Sequence, residues 1–408
     1  MGQEPEKRKS EKLKNIAISA VDSRQEDLID ISMEIHRNPE LPFEEFKASA
    51  LLANYLRDNN FNVDYPAYGL ETAFKATVGN SGPSIAIMAE YDAVPEIGHG
   101  CGHSIIATAA VGAGVALSSI IEEIGGTIAI FGTPAEETVA GAGKALMAKN
   151  GAFNSIDAAM MIHPWNSDRL ERGYDCGAWV MVNVEYFGKA AHPTDTANAI
   201  NALDAMLVGF NAFNTLRLGA AARGSLEEGY WGVITKSSDS VGVVPDHTTA
   251  VVLPLGRDEE ILRALLDKVY GCFKAGANAT GARLEFTYDW DSRFPPVRSN
   301  RVMSELFDAN IRSIRPEWNP ITPRTLLERA GTDMGFVSQM TPSIHPWIAI
   351  TSRDVGFHSV ESTAASASEE GHKAMLDGAK AMAMTAIDLI TNPEILKEAH
   401  DDFEENPA

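Results

Sequence analysis

Cys101, His103, Glu137, His163 and His358 are of the residue types that bind divalent metal. Thiolate, imidazole and carboxylate are the usual ligands of zinc, and the last two also suit manganese, cobalt and nickel. The five are dispersed. Gly98-His99-Gly100-Cys101-Gly102-His103 supplies two, and Thr133-Pro134-Ala135-Glu136-Glu137, His163-Pro164-Trp165 and Gly356-Phe357-His358 supply one each. Five ligands exceed the need of one tetrahedral ion that also holds a water. Two ions sharing a bridging ligand use them better, and such a pair lowers the pKa of a bridging water and polarises a scissile carbonyl. Adjacent side chains in a loop point in different directions, so Glu137 is assigned to metal. Glu136 is assigned as general base and then as general acid to a leaving nitrogen. Asp92, in Glu90-Tyr91-Asp92, is expected to orient a histidine ligand. Taken singly these residues have ordinary readings: a Gly-rich turn, a solvated acidic pair, a strand-end histidine. His99 is read as a plain loop neighbour, His36 as structural or supporting, and His247, His372 and His400 as surface residues. His345, just before a candidate strand, is left unassigned.

The elements that must position these groups are apolar runs. Ser84 to Ala89, Thr127 to Gly132, Ala158 to Ile162 and Trp347 to Thr351 read as strands buried on both faces. The small-residue stretch from Ser104 to Ile121 reads as a core helix between the first two. Each chemically loaded segment follows one of these strands, and in open α/β sheets sites form at the carboxyl ends of the strands. Gln25 to Asn59 has helical periodicity, broken near Asn38-Pro39. From about 178 to 294 the pattern changes. Half-exposed strands at Val180 to Phe187, Tyr230 to Thr235, Thr248 to Leu255 and Arg283 to Tyr288 alternate with helices at Ala197 to Leu216 and Glu259 to Ala279. The fold class expected is therefore α/β: a mostly parallel-sheet metallohydrolase domain at 1–177 and 295–408, with an inserted β-α-β-β-α-β domain at 178–294.

Length and composition agree with this division. The 408 residues are too many for one ordinary core, and 45% are hydrophobic. The formal net charge of -22 disfavours nucleic acid and anionic membrane as partners and leaves a small-molecule substrate. Cys101, Cys176 and Cys272 are too few for a disulfide framework, and the charged N-terminus lacks the apolar segment of a secretory signal, so a reducing, cytoplasmic setting is expected. The run from Ser104 to Ile121 is interrupted by glycine and followed by Glu122 and Glu123, which argues against a membrane span.

With these residues in place, the chain resembles the aminoacylase/carboxypeptidase family of metal-dependent amidohydrolases. Ala89-Glu-Tyr-Asp-Ala-Val-Pro95, Gly98 to His103, Pro134-Ala-Glu-Glu137, His163-Pro164 and Gly188-Lys-Ala-Ala-His192 carry the resemblance. Gly331-Thr-Asp-Met-Gly335 and Ala381 to Pro393 point to its aminobenzoyl-glutamate hydrolase and β-alanyl-lysine dipeptidase branch. The resemblance implies a metallopeptidase-like hydrolase acting on an amide-type C–N bond of a small N-acyl or aminoaroyl amino acid or dipeptide, with one or two divalent ions. It implies the five ligands above, Glu136 as the catalytic carboxylate, and a homodimer through the inserted domain. It makes His192 a donor that reaches the partner's site and stabilises the oxyanion, and counts Arg257 and Asp333 with His192 as substrate-binding candidates. Glu90 ends the first strand where many relatives have a shorter Asp or a ligand His, and two further positions depart from the family. Gly242 stands where an Asn is frequent, and the strand ending at Gly256 reaches an arginine only at Arg257. These positions commonly serve the substrate carboxylate or the oxyanion. Their change opens a second reading, hydrolytic release of ammonia from an amino-aromatic acid such as a nitroanthranilate. A non-catalytic metal-binding scaffold is the third.

Overall fold

A computed structural model describes residues 3–138, 142–170, 173–174, 176–238, 240–322, 326 and 331–405. The chain separates into two compact units. One holds Met1–Asp175, Arg298–Thr322 and Phe336–Ala408; the other holds Cys176–Val297 and Pro323–Gly335.

The first unit is built on an eight-stranded sheet. Its central strands Thr127–Thr133, Ser84–Glu90, Ala158–Met160, Ser343–Ile344 and Arg298–Ser299 run parallel. Antiparallel strands flank them: Asn62–Asp64 and Phe74–Gly79 on one side and Gly173–Tyr174 on the other. Ile85, Ile87, Ile128 and Ile130 are fully buried, as β-branched residues in a sheet covered on both faces should be. Each contributes roughly 1.5–3 kcal/mol through removal of apolar surface from water. The helix His103–Ser118 is buried from His103 to Leu117, and its small side chains let Glu369–Thr391 pack closely against it. No helix among the described residues is long and apolar enough to cross a membrane.

One expected strand lies elsewhere. Trp347 to Thr351 does not join the main sheet. Trp347–Ala349 pairs in parallel with His163–Trp165 as a separate two-stranded ribbon, and the short Ser343–Ile344 takes the place in the sheet. Pro164 and Pro346 interrupt these runs. A proline has no N–H to give a central ladder.

In the second unit the elements follow the order β-α-β-β-α-β: Val182–Phe187, Ala202–Arg223, Glu228–Lys236, His247–Gly256, Glu259–Thr280 and Arg283–Tyr288. The sheet is antiparallel, ordered Glu228–Lys236, His247–Gly256, Val182–Phe187, Arg283–Tyr288. Burial alternates along Val182–Phe187 and most of His247–Gly256, so one face meets the two helices. Asn201 and Asp258 cap those helices by accepting from Leu203 N and Ile261 N. Leu326 and residues 331–335 group with this unit rather than with the C-terminal part of the first: Leu326 N donates to Ser225 O, and Gly331 lies against Trp179.

Candidate metal centre

The strand Ser84–Glu90 delivers two buried carboxylates, Glu90 and Asp92. Asp92 accepts from His103 Nδ1 on Oδ1 at 3.0 Å and from the Glu137 backbone N–H on Oδ2 at 2.8 Å. An ionised carboxylate only accepts, so Nδ1 carries the hydrogen and the second nitrogen, Nε2, faces the site. Burial opposes protonation of His103, but the Asp92 charge overrides it and holds the pKa well above its usual value. Charges that draw a second proton to Nε2 draw a cation there as well.

His163 is set the same way by a different partner. Its Nδ1–H donates to the Pro164 carbonyl at 2.7 Å, which leaves Nε2 3.6 Å from Cys101 Sγ. Burial, then His345 and His103, hold its pKa well below the ordinary value, so the ring is neutral with its lone pair available. The turn carrying Cys101 and His103 reaches His163 because residue 102 is glycine: φ is +80°, and a Cβ there would lie 2.4 Å from Pro164 Cγ. His358, in the left-handed region at φ 58°, places Nε2 3.3 Å from Glu137 Oε1. Its segment is tied to the turn by Ser362 Oγ donating to Gly100 O and Thr363 Oγ1 donating to Ile97 O.

Among the described residues, three sets of ligand atoms lie within 4.8 Å of one another: Cys101, His103 and His163; Cys101, Glu137 and His358; and His103, Glu136 and Glu137. Cys101 belongs to two of them. His103 Nε2, Glu137 Oε1 and Glu90 Oε2 are buried without a hydrogen-bond partner. Buried polar atoms are rarely left so, and here two carboxylate oxygens and a ring nitrogen converge on one small space. Burial, then the Glu137 charge, push the Cys101 thiol well up; a nearby cation reverses both effects. The donor set therefore fits divalent ions.

All five expected ligands, together with Glu136 and Asp92, come together in the first unit. The substrate-binding candidates lie in the second and are no part of this cluster. His192 is exposed, with Nδ1 2.7 Å from Thr194 Oγ1. Arg257 pairs with Glu227 at 2.7 Å and Asp258 at 3.0 Å, and Asp333 is fully buried. His99 is no ordinary loop residue: it is buried beside His36, and burial, then the His103 charge, lower its pKa to about 3. His345 is buried with its ring 5.4 Å from that of His163, and burial lowers its pKa to about 3. His247, His372 and His400 are half-buried rather than on the open surface, and His247 pairs with Glu185.

Sequence reasoning missed the buried partner of Glu90 and the burial of Glu45. Glu90 forms an ion pair with the fully buried Lys144, and its other oxygen lies 3.5 Å from His103 Nε2. The signal was a charge closing an otherwise apolar strand, which needs a buried counter-ion. Glu45 is also buried, and burial, then the Asp92 charge, push its pKa up to about 7.

Asp92→Ala frees His103 from its partner and releases the Glu137 N–H. Its metal affinity is expected to fall by about 10- to 100-fold, read as metal content after dialysis against graded chelator. An unchanged retention curve would remove Asp92 from the support of the site.

Comparison with known proteins gives a consistent result. A sequence model of peptidase family M20/M25/M40 matches residues 86–388. The Xaa-Arg dipeptidase of Mus musculus is 30% identical over 413 residues, covering 96% of this chain and 92% of the relative. A p-aminobenzoyl-glutamate hydrolase chain of Escherichia coli (strain K12) is 27% identical over 330 residues, covering 74% of this chain and 65% of the relative. Among solved structures, the Bacillus subtilis YXEP protein, described as a dinuclear metal binding peptidase, superposes with a TM-score of 0.69 at 18% identity, over 90% of this chain and 99% of that one.

Proposed function

Because the chain belongs to peptidase family M20/M25/M40 and is thus a metal-dependent amidohydrolase, we propose that it hydrolyses the amide bond of small dipeptides or N-acyl and aminoaroyl amino acids, with Glu136 moving the proton. The observation that carries this reading is the convergence of Cys101, His103, Glu137, His163 and His358 with a second carboxylate, Glu136, beside them. Cys101, His103 and His163 would hold one divalent ion, and Cys101, Glu137 and His358 another. The mix of thiolate, imidazole and carboxylate suits zinc first, with manganese, cobalt or nickel as alternatives. When bound, such ions polarise a carbonyl oxygen and acidify a water. Glu136 takes a proton from that attacking water and delivers it to the leaving nitrogen, which departs as an amine. Asp92 keeps the His103 lone pair aimed inward, and the Pro164 carbonyl does the same for His163.

Dipeptides ending in arginine head the substrate panel, since two relatives alike over nearly their whole length carry that specificity in their names. Aminobenzoyl-glutamate and amino-aromatic acids complete it. The metal-loaded enzyme is expected to release two free amino acids from each dipeptide cleaved, and one amino acid with one carboxylic acid from each acyl or aroyl substrate. Ammonia without a second carbon-containing fragment would replace this reading with hydrolytic deamination.

A further inference from the structure

We propose that Glu45 is a positioning residue for the catalytic carboxylate, holding Ala135 in a strained conformation that aims Glu136, while Asp92 holds the Glu137 end of the loop. This rests on the reading of Glu136 as the base.

Glu45 stands immediately before the helix Phe46–Asp58, at its capping position, but its side chain does not cap the helix. Glu40 takes that task, accepting from the backbone N–H groups of Lys47 and Ala48. Released from capping, the Glu45 carboxylate points inward and is fully buried. Its Oε1 accepts from the Ala135 N–H at 2.8 Å and the Phe43 N–H at 2.9 Å, and its Oε2 accepts from Thr72 Oγ1 at 2.8 Å.

Ala135 precedes Glu136 and lies at φ 59°. A non-glycine residue there is strained and persists only when its surroundings hold it. Three bonds do so. Glu45 takes the Ala135 N–H, Gly143 N donates to the Ala135 carbonyl at 3.2 Å, and Asp92 takes the Glu137 N–H. Two buried carboxylates thus grip the backbone on either side of Glu136. Asp92 also touches His103, but no hydrogen bond of Glu45 goes to a ligand side chain, so its influence on the reaction runs through the loop.

Glu45→Leu removes the acceptor and keeps an apolar side chain of similar length. Its kcat is expected to fall by about 100-fold, the cost of a misplacement on the order of 1 Å, with KM within about threefold of the parent. Metal content stays at the parent value. Glu45→Gln keeps a carbonyl oxygen for Ala135 and is expected to recover most of the lost kcat. If Glu45→Leu does not fold, Glu45→Asp carries the test: one methylene shorter, it cannot span Phe43, Thr72 and Ala135 together, and a drop of about tenfold in kcat at full metal content is expected. Parent-level kcat from the folded Leu or Asp variant overturns the proposal. So does loss of metal in step with activity, which would place Glu45 under the ligands instead. Glu136→Gln measured alongside separates the two claims. If it stays active, the reading of the base fails; if it is inactive while Glu45→Leu is normal, only the present inference fails.

Discussion

Glu136→Gln is expected to lower kcat by about 100- to 10,000-fold, the range associated with loss of a general acid–base group. The substitution is nearly isosteric and removes only the ability to carry a proton. Glu136 Oε2 lies 3.9 Å from His103 Nε2, and the side chain is 12% exposed, so it borders the ligand atoms and still meets solvent. Glu136 also falls in one of the three sets able to grip a cation. Metal content therefore decides what its loss means. Full occupancy with lost turnover identifies a proton carrier. Parallel loss of both makes Glu136 a ligand, and near-parent turnover removes it from the chemistry.

The second large effect concerns Cys101. It is shared by the two sets assigned above to ions, Cys101–His103–His163 and Cys101–Glu137–His358, so Cys101→Ala is expected to impair both ion positions, whereas a change at His163 or His358 strikes one. Turnover should fall below detection, and zinc, manganese or cobalt at concentrations that reload chelated parent enzyme should not restore it. A bound ion also stabilises the fold that binds it, by about 2.7 kcal/mol at a free concentration one hundred times Kd. Chelated parent protein should therefore melt several degrees lower than loaded protein, and Cys101→Ala should melt near the chelated value whether or not metal is added. Full activity in protein shown by elemental analysis to be free of metal would refute the cation reading altogether.

Much of this site could be read before any coordinates. Cys101, His103 and Glu137 were legible because they follow apolar strands of the parallel sheet, whose carboxyl ends open on one crevice; His163 and His358 also follow apolar runs, but the run before His358 belongs to the two-stranded ribbon. The alternation in Val182–Phe187 and the helical period of Glu259–Thr280 were local signals and marked the second unit. What stayed hidden depends on distant pairing. Trp347–Ala349 has the apolar character of a core strand, but its partner is His163–Trp165, and only tertiary structure decides that. Glu44 and Glu45 are the same residue type side by side; one is exposed and the other fully buried, and no period of the sequence distinguishes them. His192, Arg257 and Asp333 came from family resemblance alone, and none of the three lies in the ligand cluster.

The cluster has a consequence for how such a chain can change over time. Residues 176–297 fall between His163 and His358 along the chain, yet contribute no atom to the three cation-gripping sets found among the described residues. Mutations that accumulate in that span leave these cation-gripping sets untouched. The middle third of the gene can therefore drift, or be exchanged in the laboratory with that of a cousin, without any ligand of the three sets being lost.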